Sequence, residues 1–248
     1  MNLYFLNGKT AFVTGGSRGI GASIVRRLVK DGAAVAFTYA NSAEKANELV
    51  KSIEAEGGRA LAIRANSENT NSVKSAVAEA INTFGHLNIL VNNAGILDVK
   101  PYDQFTMEEF DRTVAVNIRA VFAAIQAAGP HMQSGDRIIN IGSVNADVTG
   151  FPGMSLYSMS KAAVAAMTRG LARDLAAQGV TVNNIQPGPV DTDMNPAEGS
   201  MASILKNMIA LGRYGTANDI ASLVSFLSSP EASYITGASL DINGGFMI

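Results

Sequence analysis

The chain has 248 residues, 47% hydrophobic and 16% charged, so it can bury a large core and is not intrinsically disordered. Its 19 basic and 21 acidic residues leave a net charge of −2, which gives no electrostatic reason to expect nucleic acid or an anionic membrane as partner. The absence of cysteine excludes disulfides, thiol catalysis and cysteine-ligated zinc, and no metal site is predicted because His86 and His131 are isolated.

The chain shows no targeting or linker signal. Residues 1–6 lack the basic region and apolar core of a signal peptide, and no apolar run reaches transmembrane length. No low-complexity stretch or repeat suggests a boundary, so residues 1–248 are predicted to form a single domain. A soluble, cytoplasmic protein is expected.

A glycine-rich turn follows the first predicted strand. Residues 9–13 form a short, mostly apolar run with β-branched and aromatic residues, and the pattern T-G-x-x-x-G-x-G follows over residues 14–21, at the start of a helical apolar pattern. Gly15 permits a tight turn, Gly19 lets the backbone approach a pyrophosphate, and Gly21 lets helix and strand pack closely. The amides and dipole of the helix then face an anion. Dinucleotide binding is therefore favoured over an ordinary glycine-rich turn.

Strand-like and helix-like segments alternate along the rest of the chain. Further strands are predicted over residues 34–39, 60–65, 87–91, 137–141, 181–185 and 239–242, and helices after Ser42 and over 70–84, 106–128 and 155–178. Repeated β-α-β units with apolar strands predict an α/β fold, a Rossmann-type doubly wound domain of about seven parallel strands with helices on both faces. Residues 187–211 lack a clear strand and are predicted to form a substrate lid at the carboxyl ends of the strands.

Tyr157 and Lys161 lie four residues apart on the helix predicted over 155–178, so they share one face. A phenol with an unperturbed pKa of ~10 is a poor acid–base group at neutral pH. A neighbouring ammonium favours the phenolate and lowers the phenol pKa toward the working range. The pair is therefore predicted to donate or accept a proton, with Ser143, fourteen residues before Tyr157, as its companion.

Four more motifs accompany these two. They are Asn92–Gly95 with Asn117, Ile141–Ser143, Pro187–Thr192 and Asp241–Gly245. Together the motifs resemble the short-chain dehydrogenase/reductase family, in particular its 3-oxoacyl-carrier-protein-reductase-like branch, from about residue 9 to residue 245. The resemblance implies an oxidoreductase that reduces a ketone or aldehyde to an alcohol, reversibly. It also implies a homotetramer, the typical assembly of the family.

The resemblance assigns a role to each catalytic residue. Tyr157 would donate a proton to the nascent alkoxide, and Lys161 would lower its pKa and hydrogen-bond the nicotinamide ribose. Ser143 would orient and polarise the carbonyl. Asn117 would hold a water that links Lys161 to solvent.

The resemblance also implies which residues line the ligand sites. Besides Tyr157 and Lys161, the cofactor contacts would be Gly15, Ser17, Arg18, Gly19, Ile20 and Gly21, then Tyr39, Asn41, Ser42, Asn66 and Ser67, then Asn93, Ala94 and Gly95, and finally Pro187, Gly188, Val190 and Thr192. Of these, residues 93–95 would contact the adenosine-side ribose, and Val190 and Thr192 the carboxamide. The substrate pocket would be formed by Ile96, Leu97, Val144, Met154, Gly188 and Met194.

Two positions depart from the usual family pattern and bear on the cofactor. Asn66 replaces the aspartate that binds adenine in many relatives, and its amide oxygen can still accept a hydrogen bond. Tyr39 stands where NAD-preferring relatives carry an acid on the ribose 2′-hydroxyl, so no carboxylate repels a 2′-phosphate there. Arg18 lies beside it in the glycine turn. NADP, as NADPH, is therefore expected in preference to NAD.

Two other functions stay open. One is a nucleotide-binding regulator of the cyclic-di-GMP type on the same fold, because residues 142–145 and 186–196 resemble a cyclic-di-GMP-associated homologue. The other is a broad-range carbonyl reductase without a single physiological substrate. A pure binder would have no physical need for Lys161 beside Tyr157, so an enzyme acting on a small-molecule substrate is favoured.

Overall fold

The computed structural model describes residues 5–198 and 201–246 and centres on one parallel sheet. Its strands are β1 (Thr10–Val13), β2 (Ala34–Tyr39), β3 (Ala60–Arg64), β4 (Ile89–Asn92), β5 (Arg137–Ile141), β6 (Thr181–Pro187) and β7 (Ser239–Ile242). The seven strands lie in the order β3-β2-β1-β4-β5-β6-β7, and every pairing is parallel. This confirms the predicted Rossmann-type doubly wound α/β fold.

Eight α-helices connect and follow the strands within the described ranges. They are α1 (Gly19–Lys30), α2 (Ala43–Ala55), α3 (Thr70–Phe84), α4 (Met107–Val114), α5 (Ala120–Ala128), α6 (Ser155–Asp174), α7 (Ala202–Asn207) and α8 (Ala217–Ser228). The helix predicted over 106–128 is divided by a π-helical turn at Ala115–Arg119, and the one predicted over 155–178 ends in a 3₁₀ turn at Ala176–Gln178. Among the described residues no helix is long and apolar enough to cross a membrane.

Side chains alternate along the strands between two cores, one on each face of the sheet. Val13 and Phe37 pack with α1 and α8, whereas their neighbours Phe12 and Ala36 pack with α3 and α5. This period of two is what a strand requires when both of its faces are covered. Because both faces of the sheet are covered, most positions of the strands are apolar in the sequence.

The order of the strands determines where a crevice opens at the edge of the sheet. The chain runs outward from β1 to β3 and then returns to the other side of β1 as β4. The loops after β1 and β4 therefore leave the sheet in opposite directions, and a crevice opens between them at the carboxyl ends of the strands. The glycine turn follows β1, and the loop that begins at Asn93 follows β4.

An ionic contact around the buried Asp31 fixes the C-terminal end of α1 against α8. The Asp31 carboxylate, just after the end of α1, shares the single N–H of Arg27 Nε between its two oxygens, at 3.1 and 3.0 Å, and accepts a hydrogen bond from Ser225 Oγ at 2.6 Å. Asp31 and Ser225 are almost fully buried. A buried carboxylate must be hydrogen-bonded, so the Ser225 hydroxyl is expected to contribute to stability.

Replacing Ser225 with alanine should lower the free energy of unfolding by about 1–3 kcal/mol, because a buried charged acceptor loses a donor. Urea unfolding measures this difference. Ser75, an exposed serine on α3, is the control, and its replacement by alanine should change the free energy by less than about 0.5 kcal/mol. Equal effects of the two substitutions would contradict the assignment.

Candidate active site

A cleft of about 1070 Å³ opens at the carboxyl ends of the strands. Every residue that the sequence assigned to the cofactor or the substrate lines this cleft, from Gly15 to Met194. Three of the four predicted catalytic residues line it as well: Ser143, Tyr157 and Lys161. Asn117 does not, because its side chain lies behind the cleft wall and is only 2% exposed.

The glycine turn leaves no space for larger residues. Gly15 has a φ of +66°, a conformation that L side chains rarely adopt. A Cβ atom on Gly21 would lie 2.2 Å from the carbonyl oxygen of Gly15. The turn and the first turn of α1 therefore touch, as the sequence pattern predicted for close helix–strand packing.

The N-terminus of α1 is open toward the cleft. Among the described residues no side chain caps it, since Arg18 at the N-cap position makes no capping hydrogen bond. Its first amides are free donors at the positive end of the helix dipole, which suits a pyrophosphate. The residues present therefore fit a dinucleotide.

Asn93 holds the glycine turn in place. Its side-chain Nδ2 donates to the carbonyl oxygens of Thr14 and Gly15, both at 3.0 Å. The Thr14 hydroxyl in turn accepts from the amides of Asn93 and Ala94 at 2.9 and 3.0 Å. Because Asn93 Nδ2 and the backbone N–H groups of Asn93 and Ala94 are engaged, the predicted ribose contacts of residues 93–95 would come from their carbonyl oxygens, from Asn93 Oδ1 or from the Gly95 N–H.

Asn66 also uses its amide oxygen within the protein. Its Oδ1 accepts from the backbone N–H of Glu68 at 3.0 Å and so forms the turn after β3. A carbonyl oxygen has a second lone pair, so the predicted contact with adenine is still chemically available. The same oxygen would then serve both the turn and the ligand.

Ser143 is held by a residue that the sequence reasoning did not select. Its Oγ is buried and accepts from both the backbone N–H and the side-chain Nδ2 of Asn145, each at 3.2 Å. With these two donors provided, the Ser143 hydroxyl proton points away from Asn145, and a hydrogen bond with Tyr157 is open to it. The signal in the sequence was the position of Asn145, two residues after Ser143 in the turn that follows β5.

The Lys161 side chain is buried and reaches the end of β5. Its Nζ donates to the carbonyl oxygen of Ile141 at 2.9 Å and lies 5.6 Å from the centre of the Tyr157 ring. Burial disfavours the charged form and lowers the pKa of Lys161 from 10.5 to about 8. The ammonium therefore still predominates at neutral pH.

The expected lowering of the Tyr157 pKa is wrong for this structure. Burial raises the pKa of the Tyr157 phenol, and the hydrogen bond with Ser143 lowers it by less. The sequence reasoning considered the charge of Lys161 but not the cost of placing a phenolate in a site that also removes Lys161 from water. At neutral pH the phenol therefore holds its proton.

Asn117 connects the loop after β4 to α6. It lies in the π-helical turn, and its side chain accepts from the Ile96 N–H at 2.9 Å and donates to the Ile96 carbonyl at 2.9 Å and to Ser160 Oγ at 3.0 Å. Both amide hydrogens and the amide oxygen are thus engaged. If Asn117 holds a water, as the resemblance implies, its backbone carbonyl or the second lone pair of Oδ1 would do so.

The substrate end of the cleft is mostly apolar. The predicted Ile96, Leu97, Val144, Met154 and Met194 line it, with Gly188 beside them. The structure adds six further residues, Val99, Phe151, Pro152, Met201, Leu205 and Phe246. The sequence reasoning missed these because loops far apart in the chain bring them together. Phe246, for example, pairs with Ile209 through a β-bridge.

The predicted lid, residues 187–211, includes residues 199 and 200, which lie outside the described residues. β6 extends into it as far as Pro187, and α7 forms where no regular element was expected. Ala202 and Ile209 are buried against Val144 and neighbouring residues. The described C-terminal part of this segment is therefore packed against the loop after β5.

The chain is similar over its full length to known proteins. Residues 15–247 match the family model described as enoyl-(acyl carrier protein) reductase. The cyclic-di-GMP-binding biofilm dispersal mediator protein of Escherichia coli is 44% identical over 239 residues, 96% of this chain and 97% of that protein. The 3-oxoacyl-(acyl-carrier-protein) reductase FabG of Staphylococcus aureus is 42% identical over 240 residues, 96% and 97% of the two chains. A short chain dehydrogenase from Burkholderia cenocepacia, solved in complex with NADP, is 50% identical with a TM-score of 0.97 over 98% of this chain and 99% of that one.

Replacing Lys161 with methionine should raise the free energy of unfolding at pH 7. Because the folded-state pKa of about 8 is below the unfolded value, the buried ammonium costs stability below pH 8, and this cost is relieved as the pH rises toward 10.5. The expected gain is on the order of 2 kcal/mol at pH 7 and should shrink at pH 10. Urea unfolding at both values measures it, with the exposed Lys51 replaced by methionine as control. A variant less stable than the parent at pH 7 would contradict this prediction.

Proposed function

The chain belongs to the short-chain dehydrogenase/reductase family, and on this basis we propose that it is an NADPH-dependent reductase of ketones or aldehydes, reversible toward the alcohol. The observation that carries the proposal is that Ser143, Tyr157 and Lys161 share one cleft with the glycine turn. The NADP in the Burkholderia cenocepacia structure and the reductase activity in the name of the Staphylococcus aureus relative support it.

The catalytic side chains would supply the one proton that reduction of a carbonyl group requires. The cofactor, when bound, supplies a hydride to the carbonyl carbon. Tyr157 donates its phenolic proton to the carbonyl oxygen as the alkoxide forms, so hydride and proton add across one double bond. Burial keeps that phenol protonated at neutral pH, so its proton is available for transfer. The phenolate that results is stabilised by the Lys161 ammonium.

Ser143 would orient the carbonyl. Its Oγ already accepts from the Asn145 amide groups, so its own hydroxyl proton can donate to the substrate oxygen. A donor fixed before the substrate arrives stabilises the developing negative charge without reorganisation. Asn145 is thereby a positioning residue for Ser143.

The cleft favours a neutral, apolar substrate. Among its described residues the basic side chains are Arg18, Arg64, Arg112 and Lys161. The first three belong to the glycine turn, the end of β3 and α4, and only Lys161 lies beside the catalytic groups. An anionic substrate would have no cation at the methionine- and phenylalanine-lined end, and burying its charge there would be costly. The segment over residues 187–211, which carries Met194, Met201 and Leu205, would cover such a substrate as a lid.

The second candidate is a regulator that binds cyclic-di-GMP, which the name of the Escherichia coli relative suggests. The same cleft is large enough for a nucleotide. Such a binder gains nothing from a buried lysine whose pKa is lowered to about 8, because the charge costs stability and no proton is transferred. The reductase proposal accounts for that lysine.

We also propose a homotetramer. Large apolar side chains on α4, α5 and α6 are exposed, with Met107 at 67%, Phe122 at 46% and Met159 at 37%. β7 is an edge strand whose outer hydrogen-bonding side has no neighbouring strand among the described residues. Both features support association through the helices and the last strand. Mass measurement in solution tests it.

Replacing Tyr157 with phenylalanine should lower kcat roughly 10²–10⁴-fold and leave the Kd for NADPH within about twofold, because the lost proton donor acts only in the transition state. The fully exposed Tyr234, replaced by phenylalanine, is the matched control and should keep full activity. Activity is followed as NADPH oxidation with a panel of ketones, aldehydes and oxoacyl thioesters.

Two outcomes would refute the reductase assignment. One is a Tyr157→Phe protein that retains most of its kcat. The other is a parent protein that turns over no carbonyl compound of the panel but binds cyclic-di-GMP at micromolar concentration, which would favour the regulator.

NADPH should be preferred to NADH by up to roughly tenfold in kcat/KM, because Arg18 is more than half exposed and its charge-assisted hydrogen bond to the 2′-phosphate contributes at most about 1.5 kcal/mol. Tyr39→Asp should reverse the preference by placing a carboxylate against the 2′-phosphate and offering an acceptor to a 2′-hydroxyl. Arg18→Ala should weaken the binding of NADPH and barely change the binding of NADH. Equal kcat/KM for the two cofactors in the parent protein would contradict the interpretation of Tyr39 and Arg18.

A further inference from the structure

Three charged side chains meet at the rim of the cleft beside the glycine turn. Asp193 Oδ2 lies 3.3 Å from Arg18 Nη1 and 3.4 Å from Lys45 Nζ. The three come from the glycine turn, the first turn of α2 and the segment after β6. One carboxylate oxygen is thus shared by two cations from distant parts of the chain.

We propose that Lys45 is a second cation of the site for the cofactor's 2′-phosphate, and that Asp193 is an internal carboxylate which holds that site until the phosphate displaces it. The inference rests on the proposed function, since it assumes that an NADP-type dinucleotide binds in this cleft. Lys45 was not among the residues selected from the sequence.

The position of Lys45 supports a binding role. It lies three residues after Ser42, in the first turn of α2, where the helix dipole favours an acid and disfavours a cation. Helix stability therefore does not explain a lysine there. Its ammonium contacts Asp193, which lines the cleft together with Arg18, Asn41 and Ser42 on the side assigned to the adenosine.

The position of Asp193 supports the role of a competitor. Its carboxylate bears one negative charge, and both cations hold its pKa below the usual range, Lys45 most strongly. A 2′-phosphate has up to two negative charges and three acceptor oxygens, so it can engage both cations and replace the carboxylate. The 2′-hydroxyl of NADH has no charge with which to do so.

Displacement of the Asp193 carboxylate would also affect the apolar end of the cleft, where the substrate is proposed to bind. Asp193 lies between Thr192, predicted to contact the carboxamide, and Met194, which lines the apolar pocket. Releasing the carboxylate from Arg18 and Lys45 frees the start of the segment that carries Met194. Binding of the 2′-phosphate and the placement of this segment are therefore coupled through one side chain.

The expected effects are modest because the three side chains are more than half exposed, at 55–59%. Exposed ion pairs are weak because water screens them, so each substitution should change affinity by roughly two- to fivefold. Raising the salt concentration should reduce these effects.

Calorimetric binding of adenosine 2′,5′-bisphosphate and of 5′-AMP at low ionic strength tests the proposal without any catalytic step. Asp193→Asn should tighten the binding of the bisphosphate roughly two- to fivefold because the competing carboxylate is removed. Lys45→Gln should weaken this binding by a similar factor. Neither substitution should change the affinity for 5′-AMP, which lacks the 2′-phosphate. In the Lys45→Gln background the gain from Asp193→Asn should shrink, because the two residues act through one contact.

Matched controls separate these effects from net charge. Lys51→Gln, at an exposed lysine of the same helix, and Asp174→Asn, at an exposed carboxylate at the end of α6, should leave both affinities unchanged. Weaker binding of the bisphosphate in Asp193→Asn, or no effect of Lys45→Gln, overturns the inference. A parent protein that binds the two nucleotides equally contradicts the NADP preference itself. A preference that persists unchanged in both variants overturns this inference alone.

Discussion

The hydrogen bond from the Lys161 ammonium to the Ile141 carbonyl is the contact on which the arrangement of the site depends. It joins α6 to the end of β5, and so it brings Tyr157, one turn before Lys161, to Ser143, two residues after Ile141. The ammonium is buried and its pKa is lowered to about 8, so the fold carries a charge at a cost in stability. Such a cost is typical of sites built for chemistry rather than for packing.

Three asparagines hold the loops around this contact. Asn93 binds the glycine turn, Asn117 binds the loop after β4 to α6, and Asn145 binds Ser143. An amide offers donors and an acceptor without a charge, so it can connect backbone groups inside the protein without the cost of burying an ion. The sequence interpretation assigned two of them, Asn93 and Asn117, to ligand or water. In the structure their side chains also hold the walls of the cleft in place.

The charged side chains at the two ends of the cleft differ in their exposure to solvent. Lys161 is desolvated, so its interaction with a phenolate is strong and barely screened by salt. Arg18, Lys45 and Asp193 are exposed, so each of their contacts is weak and salt-dependent. On the proposed function, the strong electrostatic interaction thus lies where a proton would be transferred, and the weak, exchangeable ion pairs lie where NADP would be distinguished from NAD.

Local patterns in the sequence were enough for the sheet, the glycine turn and the Tyr157–Lys161 face, because strand period, helix period and turn geometry depend on neighbours within a few residues. The family and its seven parallel strands followed from the order of these patterns. Only the tertiary structure decided that the Tyr157 pKa rises, since its direction depends on burial by distant elements. The same holds for the contact between Lys45 and Asp193, which are 148 residues apart, and for Phe246 in the substrate pocket. No local pattern encodes such contacts, because the packing of the whole chain brings these side chains together.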